Sequence, residues 1–217
     1  MADLRLKIED AGEPTLQTGR RKRFVPAGQS TQMIVGADGA SDAAILSTSA
    51  RLYGSYDLKR VYYSAFSPIP DASRNLPLVK PPLMREHRLY QADWLYRFYG
   101  FDINEIVSGR EDGMLDLDLD PKLAWALAHR AKFPVDINRA AREMLLRVPG
   151  LGTKAVKSIL SARPHRRLRL EDLARLGVSI RKVKAFVAAE GWSPLKLTDR
   201  SDLRTMFEPK PQQLSLL

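Results

Sequence analysis

The chain of 217 residues contains no cysteine. Disulfides, thiolate zinc sites and cysteine-ligated iron–sulfur clusters are therefore excluded within it. No apolar run approaches the roughly 18 residues needed to cross a bilayer, and residues 1–10 carry no signal-peptide pattern. The expectation is a cytoplasmic protein with no membrane partner. What is present is ordinary for a globular chain, 44% hydrophobic and 28% charged. The length suits one large domain, or a medium domain with a small appendage.

The net charge is +10 and the pI is near 9.9. Such a balance points to a polyanion without saying which one. Its location says more. Residues 129–190 hold 15 Lys and Arg against 5 Asp and Glu, a net of +10, so the rest of the chain sums to zero. The positive field belongs to one segment.

Upstream of that segment, the run Arg20-Arg21-Lys22-Arg23 reads as a solvated loop or strand edge rather than a binding site. Residues 29–36, QSTQMIVG, predict a buried strand leading into a turn. Ser41 and Asp42 cap a helix over 42–56, and 60–67, RVYYSAFS, predict a second strand ended by Pro68 and Pro70. Strand, helix, strand is a crossover unit, which places the two strands parallel. Two strands and one helix cannot bury both faces of a sheet. Either another chain extends the sheet or the polypeptide is the latter part of something longer, and the second is favoured.

After a proline-rich passage at 77–82, residues 84–99 predict an amphipathic helix stopped by Gly100. Leu89, Trp94, Leu95, Phe98 and Tyr99 are expected on its buried side. Trp94 and Tyr96 could stack on bases, but helical spacing favours the core. A shorter helix is expected over 104–108. Residues 115–120, LDLDLD, alternate as a short extended segment would. Their three aspartates invite a metal reading, yet Asp120-Pro121 is also an N-cap and first-turn proline for a helix over 121–130. No metal site is assigned.

From Pro134 the sequence becomes specific: PVDINRAAREMLLRVPGLGTKAVKSILSAR. Asn138 is placed as the cap of a helix over 139–147, Val148-Pro149-Gly150-Leu151-Gly152 as a turn, and Thr153 at the start of a helix to about 162. Gly150 and Gly152 allow backbone angles and close approaches that a β-carbon would block. Leu151 plugs the angle between the helices, with Leu145, Val148, Val156 and Ile159 as the apolar interface. The unpaired amides around Gly150, Gly152 and Lys154 would then point outward from the positive end of a helix dipole, where a phosphate fits. Lys154 and Lys157 add charge. A backbone contact of this kind carries little sequence preference.

The stretch resembles the helix-hairpin-helix family of DNA glycosylases, repair nucleases, ligases and competence proteins. A second copy comes after it: 170–176, LEDLARL, as a helix, Gly177-Val178-Ser179 as the turn, and a partner helix over 180–189. Ser179 stands where the family's second glycine would be, while Arg181 and Lys182 keep this copy basic. The resemblance implies a compact pseudo-twofold unit contacting both DNA strands across a minor groove, and hence a bacterial nucleoid-associated location.

RRKRFVPAGQSTQMIVG, KRVYYSAFSPIP and PPLMREHRLYQADWLYRFYGF, leading into the hairpins, resemble together a family of radical S-adenosylmethionine proteins assigned to DNA modification or repair. That family has a half-barrel whose CxxxCxxC thiolates hold a [4Fe–4S] cluster, and a uracil-DNA-glycosylase-like partner. The resemblance implies an α/β part followed by an all-α part. Its segments would be the end of a half-barrel at 1–80, a helical connector at 81–133, paired hairpins at 134–192 and a flexible tail at 193–217. Without cysteine, cluster and S-adenosylmethionine are expected only if a separate cysteine-bearing half supplies them. Gln29, Ser30, Gln32 and Tyr63 are the candidate cofactor or substrate face.

The tail ends Gln213-Leu214-Ser215-Leu216-Leu217 and resembles the peptide that binds the bacterial sliding clamp, with Leu217 in place of the usual phenylalanine. The alternative is a tail without a partner. Three functions stay open: one half of a split or truncated radical enzyme, a stand-alone DNA-binding adaptor, or a protein-interaction module.

Overall fold

A computed structural model describes residues 1–10, 27–70, 73, 75–108, 111–194 and 200–208. The basic run at 20–23 and the terminal peptide at 213–217 lie outside the described residues. The chain is a mixed α/β protein with two small, two-stranded parallel sheets and no barrel among the described residues. No helix among them is long and apolar enough to cross a membrane.

A first helix, α1 (Ala2–Asp10), reaches the next one through Arg5, which donates to the Ser55 carbonyl. Strand β1 (Ser30–Val35), helix α2 (Asp42–Tyr56) and strand β2 (Arg60–Ala65) form the expected crossover. The strands run parallel, from Ser30 opposite Arg60 to Val35 opposite Ala65. Ser41 caps α2 by accepting the Ala44 amide. Side chains alternate with period two. Val35, Val61 and Tyr63 turn inward to the helices, while Ser30, Gln32, Ile34, Arg60 and Tyr62 stand exposed on the other face. Among the described residues one face of this sheet is covered and the other is bare.

Polar bonds hold the covered side. The Tyr63 hydroxyl donates to Ser49 Oγ at 2.9 Å, and the Tyr53 hydroxyl to Asp93 Oδ1 at 2.7 Å. Burial pushes the Tyr53 hydroxyl up to about 12 and that of Tyr63 also upward, so both stay protonated donors. Arg85 Nε meets Asp42 Oδ1 at 2.7 Å, and Asp42 also accepts the Leu115 amide.

Those polar partners explain a departure in α3 (Leu83–Tyr99). Its buried side is Arg85, Arg88, Leu89, Ala92, Asp93 and Leu95. Trp94 and Phe98, assigned to that side by spacing, are 53% and 43% exposed and touch each other with ring centroids 4.7 Å apart. The helix is rotated because Arg85, Arg88 and Asp93 each have a partner inside: Asp42, the Leu117 carbonyl and Tyr53. A buried polar residue with its bonds made is compatible with a core, and hydropathy alone does not anticipate it. Gly100 ends α3 at φ 70.

Helix α4 (Ile103–Val107) begins at the Asp102–Glu105 capping box. Residues 115–120 form a turn and not an extended segment, because the Asp116 carboxylate accepts the amides of Asp118 and Leu119. Asp120 accepts the Leu123 amide and caps α5 (Pro121–Ala128). Among the described residues no group of three or more His, Cys, Asp or Glu is placed to hold a metal ion.

The C-terminal part is β3 (Val135–Asp136), α6 (Arg142–Arg147), α7 (Thr153–Ala162), α8 (Leu170–Arg175), α9 (Ile180–Val183) and β4 (Val187–Ala188). Two expectations fail here. Asn138 does not cap a helix over 139–147; that helix starts at Arg142 behind an uncapped Ala141. Instead Asn138 Oδ1 accepts the Leu168 amide at 2.8 Å and its Nδ2 donates to the Leu168 carbonyl at 3.0 Å. The helix expected over 180–189 stops at Val183, because Val187 and Ala188 pair in parallel with Val135 and Asp136. Strand pairing satisfies backbone groups where Phe186 and Val187 are fully buried.

The expected tail is also partly folded. Leu203 is fully buried, Phe207 packs on Phe186 with centroids 5.7 Å apart, and Arg204 pairs with Asp116 at 2.8 Å. One apolar cluster runs from Val35 through Leu89, Trp125 and Leu151 to Leu203.

Candidate nucleic-acid interface

The turn between α6 and α7 sits over Leu151, which is 1% exposed and packed with Leu145, Val148, Val156 and Ile159. Its two glycines have different reasons. Gly150 has φ +87, and a β-carbon there would meet Lys182 Cβ at 3.1 Å, so the second hairpin packs against it. Gly152 has φ −88 and ψ 168, an extended backbone open to any residue. A β-carbon at Gly152 would meet only the Tyr99 hydroxyl, at an ordinary 3.8 Å. The expectation that both glycines relieve internal crowding holds for Gly150 and not for Gly152.

Gly152 is also the N-cap of α7, and no side chain caps that end. The first-turn amides carry the positive end of a ten-residue helix. Thr153, Lys154 and Lys157 are exposed beside it, and neither lysine has an ion-pair partner among the described residues. The structure therefore gathers Gly150, Leu151, Gly152, Thr153, Lys154 and Lys157 at one turn, with Leu151 as its buried plug.

Ser179, Arg181 and Lys182 are exposed on the second turn. Gly177 takes φ +75, and Val178, 7% exposed, is buried as Leu151 is. Ser179 caps only the four residues of α9 and makes no cap hydrogen bond. Asp172 anchors this hairpin. Its carboxylate accepts both Arg166 guanidinium nitrogens at 2.9 Å and the Arg169 amide at 2.9 Å. The Arg166 hydrogen bonds foremost hold the Asp172 carboxyl at about 2.

The turns form one wall of a groove of about 880 Å³. Trp94 and Tyr99 of α3, Lys122 of α5, Pro149 to Gly152, Arg181 and Lys182 line it. Lys122 is 8% exposed. Its Nζ donates to the Leu151 carbonyl at 2.6 Å and lies 4.7 Å from the Tyr99 ring centroid. Burial lowers the Lys122 ammonium to about 7, against a smaller opposing pull from Asp120. Arg147 ties the same module to α4 through paired bonds of 2.8 and 2.7 Å to Glu105. Burial pushes the Glu105 carboxyl up, but the Arg147 hydrogen bonds and charge outweigh it and leave it lowered.

Sequence reasoning missed Lys122, the Asn138–Leu168 clasp and the groove. Only Lys122 left a trace, since a lysine in the first turn of a helix runs against the dipole.

The proposed cofactor face does not assemble. Gln32 is opposite Tyr62 in register, so Tyr63 points to the other side of the sheet. Gln32 Nε2 donates to Ser64 Oγ at 2.6 Å on the exposed face, and Ser30 is exposed there too. Tyr63 is 1% exposed among α2 and α3, and Gln29 is 8% exposed, its carbonyl accepting the Lys59 amide. With no thiolate in the chain and no shared face, these residues do not fit a [4Fe–4S] cluster with S-adenosylmethionine. No family model, no curated protein and no solved structure matches the chain.

Proposed function

We propose that the paired turns are a helix-hairpin-helix module that holds a DNA backbone without sequence preference. The observation that carries this reading is the open end of α7. Gly152 leaves an uncapped helix N-terminus without any internal steric need for a glycine, and it is flanked by two lysines that have no ion-pair partner among the described residues. Oriented amides and a helix dipole suit a phosphate oxygen, and Lys154 and Lys157 supply charge at its edge. The second turn contributes Arg181 and Lys182 and buttresses the first through Gly150.

In the same reading the crossover unit is the end of a half-barrel, and a cysteine-bearing chain of a DNA repair or modification enzyme completes it. The bare outer face of the β1–β2 sheet favours such a completion. This chain contributes targeting to DNA and holds no cluster itself.

The test is the affinity for a plain duplex as a function of salt. Binding is expected to fall linearly on a log–log plot, by about 0.9 per phosphate neutralised. Lys154→Glu is expected to weaken binding about tenfold or more on every sequence and to lower the slope by about one contact. Unchanged affinity and slope in that variant would overturn the reading.

A further inference from the structure

Trp94 projects from α3 into the groove while Leu89, Ala92 and Leu95 provide the packing of the same helix. It is the exposed member of three tryptophans, Trp125 being 2% exposed and Trp192 half-buried. Packing of α3 gives no reason for an indole at this position. Phe98 backs it, and Gln91, one turn earlier on the same wall, keeps its amide nitrogen as a donor while its Oε1 accepts from Arg88 at 2.8 Å.

We propose that this groove receives the unstacked bases of a single-stranded DNA segment, with Trp94 as the stacking platform. The proposal rests on the DNA-backbone reading of the first turn and extends it. Three features point to that occupant. The groove and the candidate phosphate site share a wall, Pro149 to Gly152, so a strand held at Gly152 leads directly into it. A volume of about 880 Å³ lies within the range of pockets that enclose whole ligands. Arg181 and Lys182 on the second turn give that wall positive charge with no ion-pair partner among the described residues. Asp118 and Asp120 also line the groove, and Asp120 is engaged in capping α5. An aromatic platform beside cations holds single strands of any sequence, because every base has a π-face.

The full chain is titrated with two probes, an intact duplex and the same duplex interrupted by a short single-stranded gap. The gapped probe is expected to bind about tenfold more tightly and to quench the fluorescence of Trp94. Trp94→Ala should abolish that preference and the quench while leaving intact-duplex affinity and Tm unchanged, and Trp94→Phe should keep part of the preference. Absence of a gap preference would overturn the proposal. So would a preference that survives Trp94→Ala, or a Trp94→Ala variant weakened equally on both probes. Lys154→Glu separates the two readings. Equal weakening on both probes supports the backbone site. No weakening, together with a gap preference that Trp94→Ala abolishes, places the failure in the backbone reading alone.

Discussion

The first turn opens at Gly152 into a helix of ten residues, and the second at Ser179 into a helix of four. Both turns bend at a left-handed glycine, Gly150 or Gly177, and both bury the next residue, Leu151 or Val178. Beyond that they differ in the length of helix behind the cap. A long helix concentrates a dipole at its end, while a single turn has little to concentrate. The second copy instead commits its chain to β4 and to the close approach of Lys182 to Gly150, while the Asn138–Leu168 clasp ties the segment ahead of it to the first copy. Equivalent turn geometry therefore has two outcomes, an open helix end at Gly152 and a buttress packed against Gly150.

The largest expected effect tests the buttress and plug. Leu151→Ala should cost about 2–5 kcal/mol in a denaturant melt, and Val178→Ala less, because it removes fewer buried carbon atoms. A larger loss at Val178 would reverse the ranking of the two hairpins.

Next in size is a substitution that separates folding from binding. Gly152→Thr fits the extended backbone and adds an N-cap oxygen, so Tm should stay level or rise. Duplex affinity should nevertheless fall about tenfold, since the hydroxyl takes the amides a phosphate would use. Ser179→Gly, the reciprocal change, should alter affinity little. A Gly152→Thr protein that binds as well as the wild type would show the two ends to be equivalent.

Lys122 and Asp172 give smaller, pH-dependent effects, one for each hairpin. The Lys122 ammonium is lowered to about 7 in the fold from its ordinary 10.5. The unfolded chain then binds the extra proton between these values, so this group makes stability rise with pH from about 7 to 10.5. The slope is at most about 1.4 kcal/mol per pH unit. Subtracting the Lys122→Met profile should isolate that slope, and parallel profiles would remove Lys122 as its source. Asp172 acts in the same direction, stability rising with pH, but in an acid window. Its carboxyl is held at about 2 instead of 3.8, so its contribution is complete above about pH 4 and disappears as the pH falls towards 2. Asp172→Asn should lower Tm at neutral pH, with the gap to wild type closing across that acid window; a constant gap would contradict it.

Much of this was legible in the residues. The β1–α2–β2 crossover, its parallel pairing, the Gly100 stop, the Asp120 cap and the Val148–Thr153 turn all come from local signals: apolar and aromatic runs ended by glycine or proline, cap residues and turn glycines. The bare sheet face came from counting elements. The exposed side of α3 did not, because Arg85, Arg88 and Asp93 enter the core only with partners 29 to 43 positions away in the chain, and no local pattern contains them. The same reason hid Asn138, whose partner is Leu168, and the fate of 187–188, which pair with 135–136.

The sequence by itself determined the hairpin turns, the Ser41 and Asp120 caps and the concentration of charge in 129–190, since each depends on neighbours within a few residues. Only the tertiary structure decided which glycine is free of internal duty, where Trp94 faces, and that Lys122 reaches the Leu151 carbonyl. Those outcomes depend on what lies across the fold from each residue, where burial and satisfied polar bonds set them.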